Sequence, residues 1–303
     1  MTSVDRSVEE VWTVRQSVRL RFMVLAVGAA VSGSGCSSMV SRATVGMADS
    51  LGHAVRSQND PETVRQAAPA FLVLVDGMIA EAPEDVELLT KGAELYSSYT
   101  AAFVDDAARA RRLSDRGRDY GLRALCEAVP ATCGFETVAY PDFERALTAV
   151  DPDEVSVLYA AAGAWATWIQ ARRDDWNAVA DKARVDAMIR RVIDLDPTLE
   201  DGGPYLYVGV LETLLPKALG GRPDEGRAAF ERAFEMSGGR NLMAKVLLAR
   251  EVARQTFDRE LHDRLCREVL AAPVEAPGLT LSNALAQQEA TRLLETSEEW
   301  FGE

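Results

Sequence analysis

The sequence predicts an all-α protein, a compact stack of degenerate helical repeats, on three observations. Val185, Met188, Ile189, Val192 and Ile193 recur at i, i+3, i+4, i+7 and i+8, which places them on one helical face. Asp186, Arg190 and Asp194 step by four along another face, as exposed ion pairs would. Helix stops followed by restarts recur along the chain, and strand-like alternation of Val, Ile or Thr with polar residues is scarce.

Residues 1–35 read as an export signal. Arg15, Arg19 and Arg21 supply the basic flank, 22–31 is an apolar run, and Ser32, Gly33, Ser34, Gly35 and Cys36 close it with small residues. The run is about half of the ~20 residues a membrane-spanning helix needs. Its end resembles a bacterial lipobox, with Gly33 where that pattern prefers Leu. On this reading the Cys36 thiol takes a diacylglycerol and Cys36 becomes the new N-terminus. The competing reading is a secreted protein cut near an incidental cysteine. Ser37 is compatible with outer-membrane sorting, and the sequence leaves inner and outer membrane open. Cleavage removes three acids and four arginines, which turns the net charge of −14 into −15. So acidic a body has no electrostatic footprint for nucleic acid or anionic head groups. A lipid on Cys36 is then the attachment to the membrane, with the body in the periplasm.

Residues 36–59 read as a flexible tether and 60–303 as the helical domain. Ala82-Pro83-Glu84-Asp85 leads into a helix over 86–103, and Asp151-Pro152-Asp153-Glu154 into one over 155–172. Asp196-Pro197 leads into 205–215, Gly238-Gly239-Arg240-Asn241 into 242–256, and the stretch 273–278 into the last helix. In each, Gly can close one helix in a left-handed conformation, and Asp or Asn can cap the next. Restarts at this spacing fit weak tetratricopeptide (TPR) repeats: Gly226, Phe230 and Ala233 match the small-x-x-x-Phe-x-x-Ala of a second helix, with Val208-Gly209 in the first. Gly163 before Val185, Ile189 and Val192 repeats the spacing more weakly. The inserts 172–177 and 215–223 lengthen the connections, as on the binding face of a helical stack.

Cys126 and Cys133 flank the turn-forming stretch Val129-Pro130-Ala131-Thr132. They are either a short disulfide, which an oxidising periplasm permits, or two buried thiols at a helix junction. Cys266, among Leu265, Val269 and Leu270, reads as a core residue. Two histidines, His53 and His262, have no partners at ligand spacing, so neither a metal site nor a cofactor is expected. Nucleophile, phosphate-loop and dinucleotide motifs are missing, and pairs such as Asp105-Asp106 and Asp174-Asp175 are common in an acidic chain. No catalytic residues are assigned, and the protein reads as a binding protein and not an enzyme. The less ordinary feature is aromatic clustering at Tyr96, Tyr99 and Phe103, at Tyr159, Trp165, Trp168 and Trp176, and at Tyr205 and Tyr207. A groove lined by such residues would suit an elongated apolar molecule with one polar end.

Several stretches taken together resemble the T-component of tripartite ATP-independent periplasmic (TRAP) transporters. They include Leu88-Leu89-Thr90-Lys91-Gly92-Ala93-Glu94-Leu95-Tyr96, Trp165-Ala166-Thr167-Trp168 through Trp176-Asn177, Leu211-Glu212-Thr213-Leu214-Leu215-Pro216 and Gly238-Gly239-Arg240-Asn241-Leu242-Met243. The resemblance runs from about Asp60 to the C-terminus. It implies a TPR-like body on a lipid anchor, working with a periplasmic TRAP solute-binding protein, assembled as a homotrimer and open to small hydrophobic ligands. From the matched stretches and the aromatic clustering, Tyr96, Trp165, Trp168, Trp176, Asn177, Arg240 and Asn241 are assigned to a ligand cleft. The alternative is an envelope scaffold lipoprotein of TPR type with protein–protein contacts only.

Overall fold

Of the restarts read from the sequence, Asp85 caps its helix and Asp151 forms a capping box, whereas Asn241 makes no side-chain cap and the helices beginning at Gly203 and Thr280 have none either. The computed structural model describes residues 52–302. The signal segment 1–35, the lipidation site Cys36 and the tether as far as residue 51 lie outside the described residues. Residues 52–56 are helical, and thirteen α-helices follow: α1 (Pro61–Glu81), α2 (Val86–Phe103), α3 (Ala107–Ala128), α4 (Tyr140–Leu147), α5 (Val155–Gln170), α6 (Trp176–Ala180), α7 (Lys182–Leu195), α8 (Gly203–Thr213), α9 (Pro223–Met236), α10 (Leu242–Leu247), α11 (Arg259–Ala271), α12 (Thr280–Glu295) and α13 (Ser297–Phe301). No strand occurs among the described residues.

Aspartates start many of these helices because a carboxylate at the N-cap accepts an amide hydrogen that the first turn leaves unpaired. Asp60 accepts from the Glu62 amide, Asp85 from Leu88, Asp106 from Arg109, Asp175 from Asn177 and Asp258 from Leu261, at 2.7–3.0 Å. The acidic pairs 105–106 and 174–175 are therefore explained by capping, with Asp174 also ion-paired to Arg111 at 2.7 Å. α10 departs from the expected single helix over 242–256: after Leu247 it continues as a π-helical turn, Leu248–Ala253.

Burial divides the interior into three joined clusters. The first, around Val64, Leu72, Ile79, Leu89, Tyr96, Phe103 and Tyr120, joins α1, α2 and α3. The second, around Phe135, Phe143, Leu158, Trp165, Val185, Ile189 and Leu211, packs α4, α5 and α7. The third, around Phe230, Val246, Leu265, Val269 and Leu293, packs α9 to α12. α5 is central, touching α2, α3 and α7. Its approach to α3 needs Gly121, where an added Cβ would lie 2.9 Å from the Ala161 Cα. The last long helix returns to the first: α12 packs on α1, and Leu281 and Leu285 join the N-terminal cluster. The outer face of α1 stays open, with Val73 73% exposed.

Cys126 and Cys133 are bonded to each other, tying the end of α3 to the turn after it. Cys266 is a free, fully buried thiol, pushed up to about 12 by burial.

Candidate functional site

Two aromatic sites flank the central helix α5. The first lies where α5 faces α8 and the 3₁₀ turn Leu199–Asp201. Tyr159 and Tyr207 meet edge to face, with ring centroids 5.6 Å apart. Each phenol occupies space left by a glycine on the opposite helix. A Cβ on Gly163 would lie 2.7 Å from the Tyr207 hydroxyl, and one on Gly203 would lie 2.7 Å from the Tyr159 hydroxyl.

The turn brings in a carboxylate. Glu200, Asp201 and Gly202 adopt φ of 47°, 54° and 91°, three successive left-handed residues. For the two that are not glycine this costs roughly 1–2 kcal/mol each. The corner is held by Arg240, whose Nη2 donates to Asp201 at 3.0 Å while its Nε donates to the Ser237 carbonyl at 2.8 Å. The result is that Glu200 lies beside the Tyr159 phenol: a Cβ on Gly203 would meet the Tyr159 hydroxyl at 2.7 Å and Glu200 Oε2 at 3.4 Å. Lys91 and Glu94 on α2, ion-paired at 3.3 Å, act on Glu200 from the far side, together with Arg56.

Glu200 is open to water, and Tyr159, Tyr207, Lys91 and Glu94 are half-buried. Yet enough protein surrounds these groups to change their protonation. Burial, and then the neighbouring Glu94, hold the Glu200 carboxyl above the usual carboxylate range. Burial pushes Tyr207 up to about 12 and Tyr159 well above an ordinary phenol. The Tyr207 hydroxyl has no hydrogen-bond partner among the described residues.

The second site, between α5 and α3, is a ladder of alternating rings and guanidiniums. Arg118 lies 4.6 Å from the Trp165 ring and 4.4 Å from that of Trp168, and Arg172 stacks on Trp168 at 4.6 Å. Trp165 donates its indole N–H to Asp181 at 3.1 Å, and Trp168 to Asp115 at 2.8 Å. Asp115 also takes Arg172 at 2.6 Å. Burial pulls the Arg118 guanidinium below its ordinary value, against the pull of Asp181, Glu136 and Asp115.

The seven residues assigned to a cleft from sequence therefore fall in several places. Trp165 and Trp168 are brought together in the ladder, with Trp165 fully buried. Tyr96 belongs to the N-terminal cluster, where it and Tyr120 both donate to Asp76, at 2.8 and 2.7 Å. Trp176 is 69% exposed on the short helix α6, beside the exposed Asn177. Arg240 holds the corner under Glu200. Asn241 is buried behind it, its amide donating to Ser237 Oγ at 3.1 Å and its Oδ1 without a partner. The Tyr159–Tyr207–Glu200 convergence was missed as a site. The tyrosines were visible as part of the aromatic clustering, but their apposition across two helices leaves no local signal. Among the described residues no group of three or more His, Cys, Asp or Glu could hold a metal ion.

No curated protein sequence matches this chain. The family described as TRAP transporter T-component matches residues 57–301, which includes α1 to α13 and both aromatic sites. That family is a transport accessory, not known as a family of enzymes. The likeness first read from scattered stretches thus extends over nearly the whole described body, and the chain belongs to the TRAP transporter T-component family.

Proposed function

We propose that the chain is the accessory ligand- and partner-binding lipoprotein of a TRAP-type transport system, presenting a small, largely apolar ligand to the periplasmic solute-binding protein. Residues 1–35 are its signal peptide, Cys36 carries the lipid that holds it to a membrane, and the residues that follow are the tether. The helical body is a TPR-type stack that works as a homotrimer. The observation that carries the ligand reading is the cleft of Tyr159, Tyr207 and Glu200, lined by half-buried phenols beside a carboxylate reached by water. A merely architectural stack has no use for a strained corner that brings Glu200 there. Of the residues assigned from sequence, Arg240 serves the cleft by holding that corner, and Trp176 with Asn177 contacts the partner. Trp165 and Trp168 set the position of α5.

Mass spectrometry of small molecules released from the natively purified protein tests the ligand reading, and crosslinking to the system's solute-binding protein tests the partner. Recovery of a bound organic molecule, lost in Tyr207→Trp, is the expected result. A protein that crosslinks to partners but releases nothing would be the scaffold instead. Cys36→Ser is expected to move the chain to the soluble fraction, and retention in the membrane would refute the anchor.

A further inference from the structure

We infer that Phe257, Leu219 and Trp300 form a docking face for a protein partner whose matching surface is an apolar socket within a basic rim. The inference rests on the partner-binding reading above and gives that partner a second place of contact, on elements other than α6. Three exposed apolar side chains, held by tight turns at one end of α8 and of the π-helical segment, carry it.

Phe257 is the sharpest case. After the π-helical turn Leu248–Ala253 the Asp258 amide donates to the Ala253 carbonyl at 2.9 Å and the Phe257 amide to that of Arg254 at 3.3 Å. A helix closed in this way puts one residue in the left-handed region, where glycine or asparagine is the usual occupant. Here that residue is Phe257, at φ 54°. The fold gives its ring nothing in return, since Phe257 is 73% exposed. A bulky residue held in strained backbone and left in water serves neither the closure nor the core, and is placed for contact. Leu219 is displayed as firmly, 57% exposed on the loop that leaves α8 at Thr213. That loop closes on itself, with the Leu219 and Gly221 amides both donating to the Pro216 carbonyl at 2.8 and 3.1 Å. Its far end is pinned by Arg222, forked on the fully buried Glu212 carboxylate. A Cβ on Gly221 would lie 1.7 Å from the Leu215 carbonyl oxygen, so the loop's path depends on that glycine. Gln255, two residues before Phe257, donates its side-chain amide to the Thr213 carbonyl, and both turns leave from this one hydrogen bond. Trp300 is 51% exposed, with the Arg254 guanidinium 4.7 Å over its ring.

The charges around the face select its occupant. Asp258 and Glu260 beside Phe257, and Glu298 and Glu299 beside Trp300, are exposed. The nearby guanidiniums are engaged within the molecule: Arg254 covers Trp300 and donates to Thr296 at 2.8 Å, and Arg259 lies 3.9 Å from Asp263 and 4.0 Å from Glu298. A second copy would have to bring these acids against a body of net charge −14, and an anionic lipid surface would repel them alike. A protein surface with Lys and Arg around an apolar hollow suits both the projecting side chains and the sign of the rim.

The test is biolayer interferometry of the purified full-length protein against the solute-binding protein of its own transport system. Phe257→Gly is the deciding variant, because the left-handed corner favours glycine: it should melt no lower than wild type yet bind at least about tenfold more weakly. Leu219→Ala and Trp300→Ala should each weaken binding by about threefold or more. The wild-type association rate should fall several-fold between about 50 and about 500 mM NaCl. Full binding by Phe257→Gly, or loss of binding in Trp176→Ser alone, overturns the inference and leaves the partner reading standing. A Phe257→Gly protein that melts well below wild type makes the residue structural and overturns it too. So does a Phe257→Gly change that leaves this binding intact but abolishes flotation of the Cys36→Ser protein with phosphatidylcholine vesicles, or self-association in sedimentation, since the face then belongs to lipid or to a second copy. If the wild type does not bind the solute-binding protein at all, the partner reading falls with the inference.

Discussion

The two aromatic sites on either side of α5 use the same kinds of residue to opposite ends. In the ladder both indole N–H groups donate to aspartates and two guanidiniums stack on the rings between them, although the buried Arg118 Nε has no hydrogen-bond partner. In the cleft the Tyr207 hydroxyl has no hydrogen-bond partner among the described residues, Glu200 has no cation within 4.0 Å among them, and two residues adopt unfavourable backbone to bring the carboxylate there. An aromatic cluster whose ring N–H groups are all bonded stabilises. One with an unbonded ring hydroxyl, held in place at a cost, is free to interact. The number of aromatics in a segment does not separate the two cases, whereas the fate of each polar tip does.

This contrast can be broken most sharply at Trp165. Trp165→Ala should lower stability by about 3–5 kcal/mol in denaturant unfolding, because it empties a fully buried site and removes the indole N–H from Asp181. A loss below about 1 kcal/mol would mean that the ladder is not a core element. Next comes Arg118→Met, expected to cost about 2 kcal/mol by removing the cation shared by two indoles. Neither change should reduce the ligand recovered from the folded protein in excess of the unfolded fraction.

On the cleft side the pattern should invert. Gly203→Ala forces the Tyr159 phenol from its seat, with an expected stability cost of about 1–2 kcal/mol and a loss of recovered ligand larger than that of either ladder variant. Unchanged binding in Gly203→Ala would show that the phenol's height does not matter. The smallest effect is a gain. Because the Glu200 carboxyl is raised in the fold, its ionisation destabilises the folded state. The penalty is absent at pH below the ordinary carboxylate value and grows as pH rises through the raised one. Glu200→Gln should therefore melt higher than wild type at neutral pH and level with it in acid. Water on the open side screens the effect to below about 1 kcal/mol. A wild type more stable than the variant at pH 7.5 would make Glu200 a structural residue.

Much of the architecture could be read along the chain because its signals are local. Asp85 before an apolar run predicted the helix over 86–103, and α2 has those limits, since an N-cap acts within three residues. The all-α class followed from periodicity for the same reason. The site was less accessible. The aromatics were evident, but which of them were saturated depended on Arg118, Asp115 and Asp181, supplied from outside α5. The sequence Leu199-Glu200-Asp201-Gly202 reads as an ordinary turn, and the left-handed geometry exists because Arg240, far along the chain, holds Asp201. Buried Asn283 was passed over as well, although it accepts from the Leu242 amide and donates to the Arg240 carbonyl behind the same corner.

The return of α12 to α1 bears on how the molecule assembles. In an open stack of repeats each unit answers only to its neighbours, and folding can start anywhere and spread. Here Leu281 and Leu285 complete a cluster begun by Val64 and Leu72, so the earliest and latest helices to leave the ribosome finish the same core. Closing so long a loop adds little to the thermodynamic cost, which grows only logarithmically, but it slows the approach to the folded state. The N-terminal core waits for the C-terminus, and a chain truncated before α12 would leave part of that core open to proteases.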